Sequence, residues 1–278
     1  MKLDIKLICF IILFCFCLIN ESIAYPYYEK CASTLDSETI LETLNGKVKG
    51  ECYSVPVSYS NSSKIATDVF TWHSIPYAKP PVNENRYKRP TPIENWSATI
   101  DGTKYSKFCT QVRQDIYDGV QWEDVKDEDM SEDCLYLNIF SPADAYKNRG
   151  TKLTPILVYI HGGTFVTGGT ASDMIEPSTL AALTGLIIVN FNYRLDTIGL
   201  LHLAGTEAVG NQAILDQQLA LKWIHENAEK FGGDKDKITI SGNSAGGISV
   251  GYHLLIQDSW PYFRNAILSS GGPDLKGC

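Results

Sequence analysis

The stretch Ile238-Thr239-Ile240-Ser241-Gly242-Asn243-Ser244-Ala245-Gly246-Gly247 constrains this 278-residue chain more than any other. An apolar, β-branched run ends in Gly-x-Ser-x-Gly, and small and apolar residues follow. The pattern predicts a strand, a sharp turn and a helix over 245–256, with Ser244 at the apex. A serine in such a turn takes a strained backbone conformation that holds its Oγ in the open. The residues two before and two after it nearly touch, and Gly242 and Gly246 have no Cβ to collide there. The helix behind Ser244 turns unpaired N–H groups and the positive end of its dipole toward the place where an oxyanion would form. The plainer alternative is a glycine-rich turn with a solvent-facing serine. The strand before and the helix after favour a nucleophile.

The chain is long enough to set this turn in one large domain with a real core. Its apolar content of 44% and charged content of 20% are ordinary for a globular protein. A net charge of −8 counts against nucleic acid or an anionic membrane surface as partner. A cationic substrate would be attracted, though solubility alone explains the charge.

Residues 1–24 have the form of a secretory signal. Lys2 and Lys6 precede an apolar run over 7–19, and Ser22-Ile23-Ala24 is a small-x-small cleavage site. That run is too short to span a bilayer, and no later segment is apolar enough to do so. The mature chain would start at Tyr25 and reach an oxidising compartment. Of eight cysteines, Cys9, Cys15 and Cys17 leave with the signal, and Cys31, Cys52, Cys109, Cys134 and Cys278 remain. Proximity alone suggests Cys31–Cys52. Asn61-Ser62-Ser63 and Asn95-Trp96-Ser97 are glycosylation sequons, triplets that also arise by chance.

Residues 25–45 read as irregular, with a short helix near 37–44. Alternation over 46–57 and the run 69–75 predict strands, the second stopped by the prolines from Pro76 to Pro81. Continuous apolar runs at 155–161 and 186–190 predict buried parallel strands, and 266–270 one more. Ile214, Leu215, Leu219, Trp223 and Ile224 recur at helical spacing, so 211–228 is an amphipathic helix. Strands separated by helices make right-handed βαβ units and a mostly parallel sheet. Repeats, low-complexity segments and His/Cys clusters at metal-ligand spacing are absent from the sequence.

Phe231-Gly232-Gly233-Asp234 ahead of the Gly-x-Ser-x-Gly string, and Glu132-Asp133-Cys134-Leu135-Tyr136-Leu137-Asn138-Ile139-Phe140 upstream, resemble the two signatures of the type-B carboxylesterase/cholinesterase family. The resemblance runs from about residue 46 to residue 271. It implies an α/β-hydrolase fold, with a central mostly parallel sheet and leading antiparallel strands. It also implies hydrolysis of a small-molecule carboxylic ester through an acyl-enzyme on Ser244, without a cofactor. His161-Gly162-Gly163-Thr164-Phe165 looks like the family's glycine-rich oxyanion loop, whose plainer alternative is a simple β-turn. Matched residue by residue, the N–H groups of Gly163 and Thr164 would join that of Ala245, each worth about 3–4 kcal/mol to a developing oxyanion. Thr164 and Ser74 stand where the family pattern usually has glycine, and a β-branched Thr164 implies a hole that keeps its donor but is narrower or misaligned. The resemblance pairs Cys109 with Cys134, closing a loop over the site entrance and leaving Cys278 over.

The acidic loop 115–133 carries Trp122, which resembles the cholinesterase tryptophan whose π face binds the choline cation. The plainer alternative there is a solvated loop. Cholinesterases usually carry Glu before the serine, where this chain has Asn243. Trp122 and Asn243 are therefore the candidate substrate contacts, and Asn243 favours a general carboxylesterase over acetylcholine hydrolysis.

A serine hydroxyl needs a base, and in this fold the chain order is Ser, acid, His. Among the 34 residues after Ser244, the only histidine is His253 and the only carboxylates are Asp258 and Asp274. His253 lies roughly 13 Å along the elbow helix, out of reach, and reads as a packed helix residue. His161 reads as a loop-shaping residue. The expectation is therefore a chain holding the N-terminal part of a longer hydrolase domain, 25–278. Its sheet stops after the strand that follows the elbow helix, and it turns over little or no ester as it stands. The leading function is a secreted serine carboxylesterase without its acid and histidine. The alternatives are a non-catalytic cholinesterase-like adhesion or binding protein, a class that typically loses the serine, and a product that does not fold. Oligomeric state is left open.

Overall fold

The computed structural model describes residues 28–31, 39–57, 65–112, 125–171 and 177–272. The signal segment, Asn61, Trp122, Asp274 and Cys278 lie outside the described residues.

Among the described residues the main sheet has eight strands. They are β1 (Glu29–Lys30), β2 (Glu51–Val57), β3 (Ile65–Pro76), β4 (Tyr136–Pro142), β5 (Thr154–Ile160), β6 (Ile187–Phe191), β7 (Gly233–Asn243) and β8 (Asn265–Ser269). Their spatial order is β1-β2-β3-β4-β6-β5-β7-β8. The leading strands pair antiparallel through β4 against β6. From β6 onward, β6, β5, β7 and β8 are all parallel. This is the α/β-hydrolase arrangement expected, with leading antiparallel strands before a parallel centre.

The central runs of the parallel strands, 156–158 in β5 and 187–189 in β6, are apolar and buried because helices cover both faces, while β7 carries the exposed, charged stretch Lys235-Asp236-Lys237 near its start. On one face Ile156, Val158, Ile160, Val189, Phe191, Ile238 and Ile240 pack under α4 (Gln212–Asn227) and α5 (Ala245–Leu255). On the other, Leu157, Ile188 and Phe140 meet Ala181 and Ala182 of α2 (Pro177–Thr184). Two short helices, α1 (Ala143–Lys147) and α3 (Asp196–Leu200), fill connections. No helix among the described residues is long and apolar enough to cross a membrane.

Residues 40–42 correct the helix expected near 37–44. Ile40–Glu42 is a strand that pairs antiparallel with Lys47–Lys49, which in turn pairs with Ile100–Asp101. The turn between them is fixed by Thr43, whose backbone N–H and hydroxyl both donate to the Gly46 carbonyl. Buried Leu41 and Val48 then face the core from a ribbon. The single alternating run expected over 46–57 is likewise broken at Gly50, where a Cβ would stand 2.2 Å from the Thr71 carbonyl oxygen. The chain crosses between sheets at that close approach. Both expected disulfides form, Cys31–Cys52 and Cys109–Cys134, with Cα separations of 5.3 and 5.0 Å.

Candidate active site

β5 and β7 run side by side in register, Ile160 against Gly242, so the segments leaving them emerge together at one edge of the sheet. After β7 the chain turns into α5 through Ser244, whose φ of 56° and ψ of −123° lie far from any relaxed L-residue conformation. Two hydrogen bonds hold it there. Its N–H donates to the Ser269 carbonyl at 2.9 Å, and its own carbonyl accepts from Ile248 N–H at 3.0 Å. The glycines permit the bend. A Cβ on Gly242 would lie 2.3 Å from the Gly246 carbonyl carbon, and one on Gly246 would lie 2.1 Å from the Ile160 carbonyl oxygen. Ser244 is half-buried, and its Oγ makes no hydrogen bond among the described residues. The first turn of α5, starting at Ala245, leaves its N–H groups without intrahelical partners.

The segment leaving β5 folds back at Gly163. Val166 and Thr167 N–H both donate to the Gly163 carbonyl at 3.0 Å. Between them Thr164 and Phe165 take φ of 54° and 61°, the left-handed central pair of a type I′ turn. Such values cost a non-glycine residue about 1–2 kcal/mol each. The turn lies against the elbow: a Cβ on Gly162 would come within 3.4 Å of Ser244 Cβ and 2.6 Å of the Asn243 carbonyl oxygen. The N–H groups of Gly163 and Thr164 make no hydrogen bond among the described residues. An open hydroxyl, two free loop amides and a helix N-terminus thus meet at one spot, an arrangement suited to attack on a carbonyl and to holding the oxygen that becomes negative.

The carboxylesterase family model matches residues 37–276 of this sequence. The chain belongs to the carboxylesterase family. It is 39% identical over 240 residues to an acetylcholinesterase of Bungarus fasciatus, covering 85% of this chain and 37% of that protein. It is 40% identical over 235 residues to acetylcholinesterase 4 of Caenorhabditis briggsae, covering 84% and 36%. It is 39% identical over 248 residues to a juvenile hormone esterase of Tribolium castaneum, covering 89% and 39%. The chain therefore spans less than two fifths of the length of these relatives.

The two positions where the resemblance leads one to expect glycine, Ser74 and Thr164, both have φ of 54°. Glycine takes that shape freely, and a residue with a Cβ bears strain there. Ser74 sits at the register shift between β3 and β4, braced by Asn138 Oδ1 on its N–H and by its own hydroxyl on the Lys104 carbonyl.

His161 shapes the turn. Its ring is buried, stacks on Tyr193 at 4.2 Å between centroids, and bonds through Nδ1–H to the Gly162 carbonyl at 2.9 Å. Burial pushes its pKa down to about 4, so it stays neutral. His253 is a packed helix residue. Nε2–H donates to Gln217 Oε1 at 3.1 Å, and Nδ1 accepts from Ser259 Oγ at 2.9 Å, a tautomer assigned from these partners. Burial lowers its pKa to about 4 as well. None of the described histidines hydrogen-bonds Ser244.

Asn243 is half-buried beside the elbow, while Asn95 is exposed and accepts at Oδ1 from Asn45 Nδ2 at 3.2 Å. Among the described residues no group of His, Cys, Asp and Glu could hold a metal ion. Sequence reasoning missed Gln111, whose amide bonds both the N–H and the carbonyl of Gly168 at the end of the turn. The only local sign of it is its place two residues after Cys109.

Proposed function

We propose that this member of the carboxylesterase family is a secreted serine esterase. Ser244 Oγ attacks the carbonyl carbon of a carboxylic ester and forms a C–O bond as its proton passes to a base. The resulting oxyanion accepts hydrogen bonds from the N–H groups of Gly163, Thr164 and Ala245. Collapse breaks the bond to the alcohol, which leaves with the proton, and water then hydrolyses the acyl-enzyme. The observation that supports this most is the backbone of Ser244, strained at φ 56° and ψ −123° and pressed against the glycine turn. Strain of that kind persists where function retains it. The described histidines are turned to other partners, so the base and the acid that orients it come from outside the described residues.

The substrate class is a general carboxylic ester. Asn243 places no carboxylate beside the serine for a cation to meet, and acetylcholine is disfavoured for that reason. Two disulfides and the form of residues 1–24 support secretion. An adhesion protein of this fold has no need of the serine or its strained elbow, and nothing in the structure favours one.

The test is hydrolysis of p-nitrophenyl butyrate by the secreted natural product and by its Ser244→Ala variant. Turnover by the first and a loss of roughly 10⁶-fold in kcat in the second are expected. Equal rates in the two would remove the serine mechanism.

A further inference from the structure

Gln111 is held between two segments that are distant in sequence. Its Nε2 donates to the Cys109 carbonyl at 3.1 Å and to the Gly168 carbonyl at 3.0 Å, while its Oε1 accepts from Gly168 N–H at 2.8 Å. One side chain thus meets both polar groups of one residue, as a neighbouring strand would, and fixes the peptide planes on either side of Gly168. Gly168 in turn lies directly on the start of the turn: a Cβ there would stand 2.7 Å from the Gly162 carbonyl oxygen and 2.7 Å from His161 Nδ1. Gly162 lies against Ser244. A short chain of contacts therefore runs from Gln111 through Gly168 and Gly162 to the serine.

The platform beneath Gln111 is firm. Cys109 is tied to Cys134, and Phe108–Cys109 pairs in parallel with Met130–Ser131. Just beyond Gly168, Asn192 Oδ1 accepts from Thr170 N–H at 2.9 Å, and its Nδ2 donates to the Lys107 carbonyl at 3.1 Å. Thr164 and Phe165 would leave their left-handed conformations if the end of the turn were free to move, because strained backbone persists only where its surroundings fix it. We propose that Gln111 is a positioning residue whose amide clamp on Gly168 holds the Gly163–Thr164 amides in register with Ser244. This rests on the esterase reading above, since those amides are its oxyanion donors.

The experiment uses the secreted natural product and two variants. Gln111→Met keeps the length and bulk of the side chain without its hydrogen bonds, and Gln111→Glu keeps the acceptor for Gly168 N–H but loses both donations. Active sites are counted by stoichiometric labelling with a fluorophosphonate taken to completion, so a misfolded fraction drops out of the comparison. The expected result is a fall in kcat per titrated site of between about 10- and 100-fold. KM should stay within about threefold, and affinity for a trifluoromethyl ketone, which mimics the tetrahedral adduct, should fall in parallel with kcat/KM. Unchanged kcat per labelled site and unchanged ketone affinity, whatever the loss of yield or Tm, would overturn the positioning role alone. No ester turnover by the unsubstituted protein would remove the esterase reading and this role with it.

Discussion

At Thr164 the chain carries a β-branched residue at φ 54° in an exposed turn. Left-handed backbone costs such a residue about 1–2 kcal/mol, and glycine adds back about 0.5–1 kcal/mol in unfolded-state entropy. Thr164→Gly should therefore raise stability by about 0.5–1 kcal/mol, read as a higher urea midpoint at unchanged slope. A lower midpoint would mean that the threonine side chain contributes more than the backbone loses. Gly246→Ala is the opposite case. Its new Cβ would meet the Ile160 carbonyl oxygen at 2.1 Å, backbone against backbone, with no side chain to swing aside. We expect a loss of several kcal/mol and little folded protein. Wild-type yield and midpoint would show that α5 can slide off β5 freely. Both effects belong to single residues, and the sequence shows where to look for them. Glycine spacing exposes the elbow, and a missing glycine exposes the strained turn.

Between α4 and α5 a buried hydrogen-bond relay is fully ordered in direction. Gln218 Nε2 donates to Ser259 Oγ, which donates to His253 Nδ1; His253 Nε2–H donates to Gln217 Oε1; Gln217 Nε2 donates to Ser249 Oγ, which donates to the Ala245 carbonyl. The relay docks the elbow helix on its neighbour and holds His253 neutral. His73, His161 and His253 are all buried, with pKa values lowered to about 4 by that burial. In the unfolded chain each takes up a proton near pH 6.5. Below that pH the unfolded state binds more protons, so stability is full above about 6.5 and is lost as pH falls toward 4. Each histidine accounts for on the order of 3 kcal/mol at the bottom of that range. The urea midpoint should drop steeply between pH 6.5 and 4, and less steeply in His253→Phe, a shape-filling variant with no group to protonate. A slope the same in variant and wild type would mean that His253 titrates normally. Gln217→Leu should cost about 1–3 kcal/mol by leaving a buried N–H of His253 without an acceptor.

Such relays explain what a linear reading misses. The central parallel strands are legible because their buried runs, 156–158 and 187–189, are covered on both faces and wholly apolar. Helix α4 was visible because its apolar residues recur at helical spacing. The partner of a buried polar side chain has no local signature: Gln111 meets Gly168 57 residues away, and His253 meets Gln217 36 residues away. The strand at 40–42 stands where a helix is expected for the same reason, since its partner strand decides its shape and its own few residues do not.

Across the whole molecule, the loop behind β6 is tied to α4 by one buried ion pair. Arg194 Nε and Nη2 donate to the two carboxylate oxygens of Asp216 at 2.8 and 2.7 Å, and Nη1 reaches the Lys88 carbonyl. Arg194→Met should cost about 3–5 kcal/mol by stranding a buried carboxylate, and a further Asp216→Leu should recover much of it. Additive losses in the double variant, measured by urea unfolding, would show that the two side chains act separately. The relay and, through Gln111, the Cys109–Cys134 disulfide brace the edge of the sheet where Ser244 stands. The most direct measurement there is fluorophosphonate labelling of the purified protein, followed by mass spectrometry of the peptide holding residue 244. The expected result is a single phosphonyl adduct on Ser244, blocked by prior incubation with a carboxylic ester inhibitor. A folded protein that takes no label on Ser244, or takes it elsewhere, would contradict the proposed nucleophile.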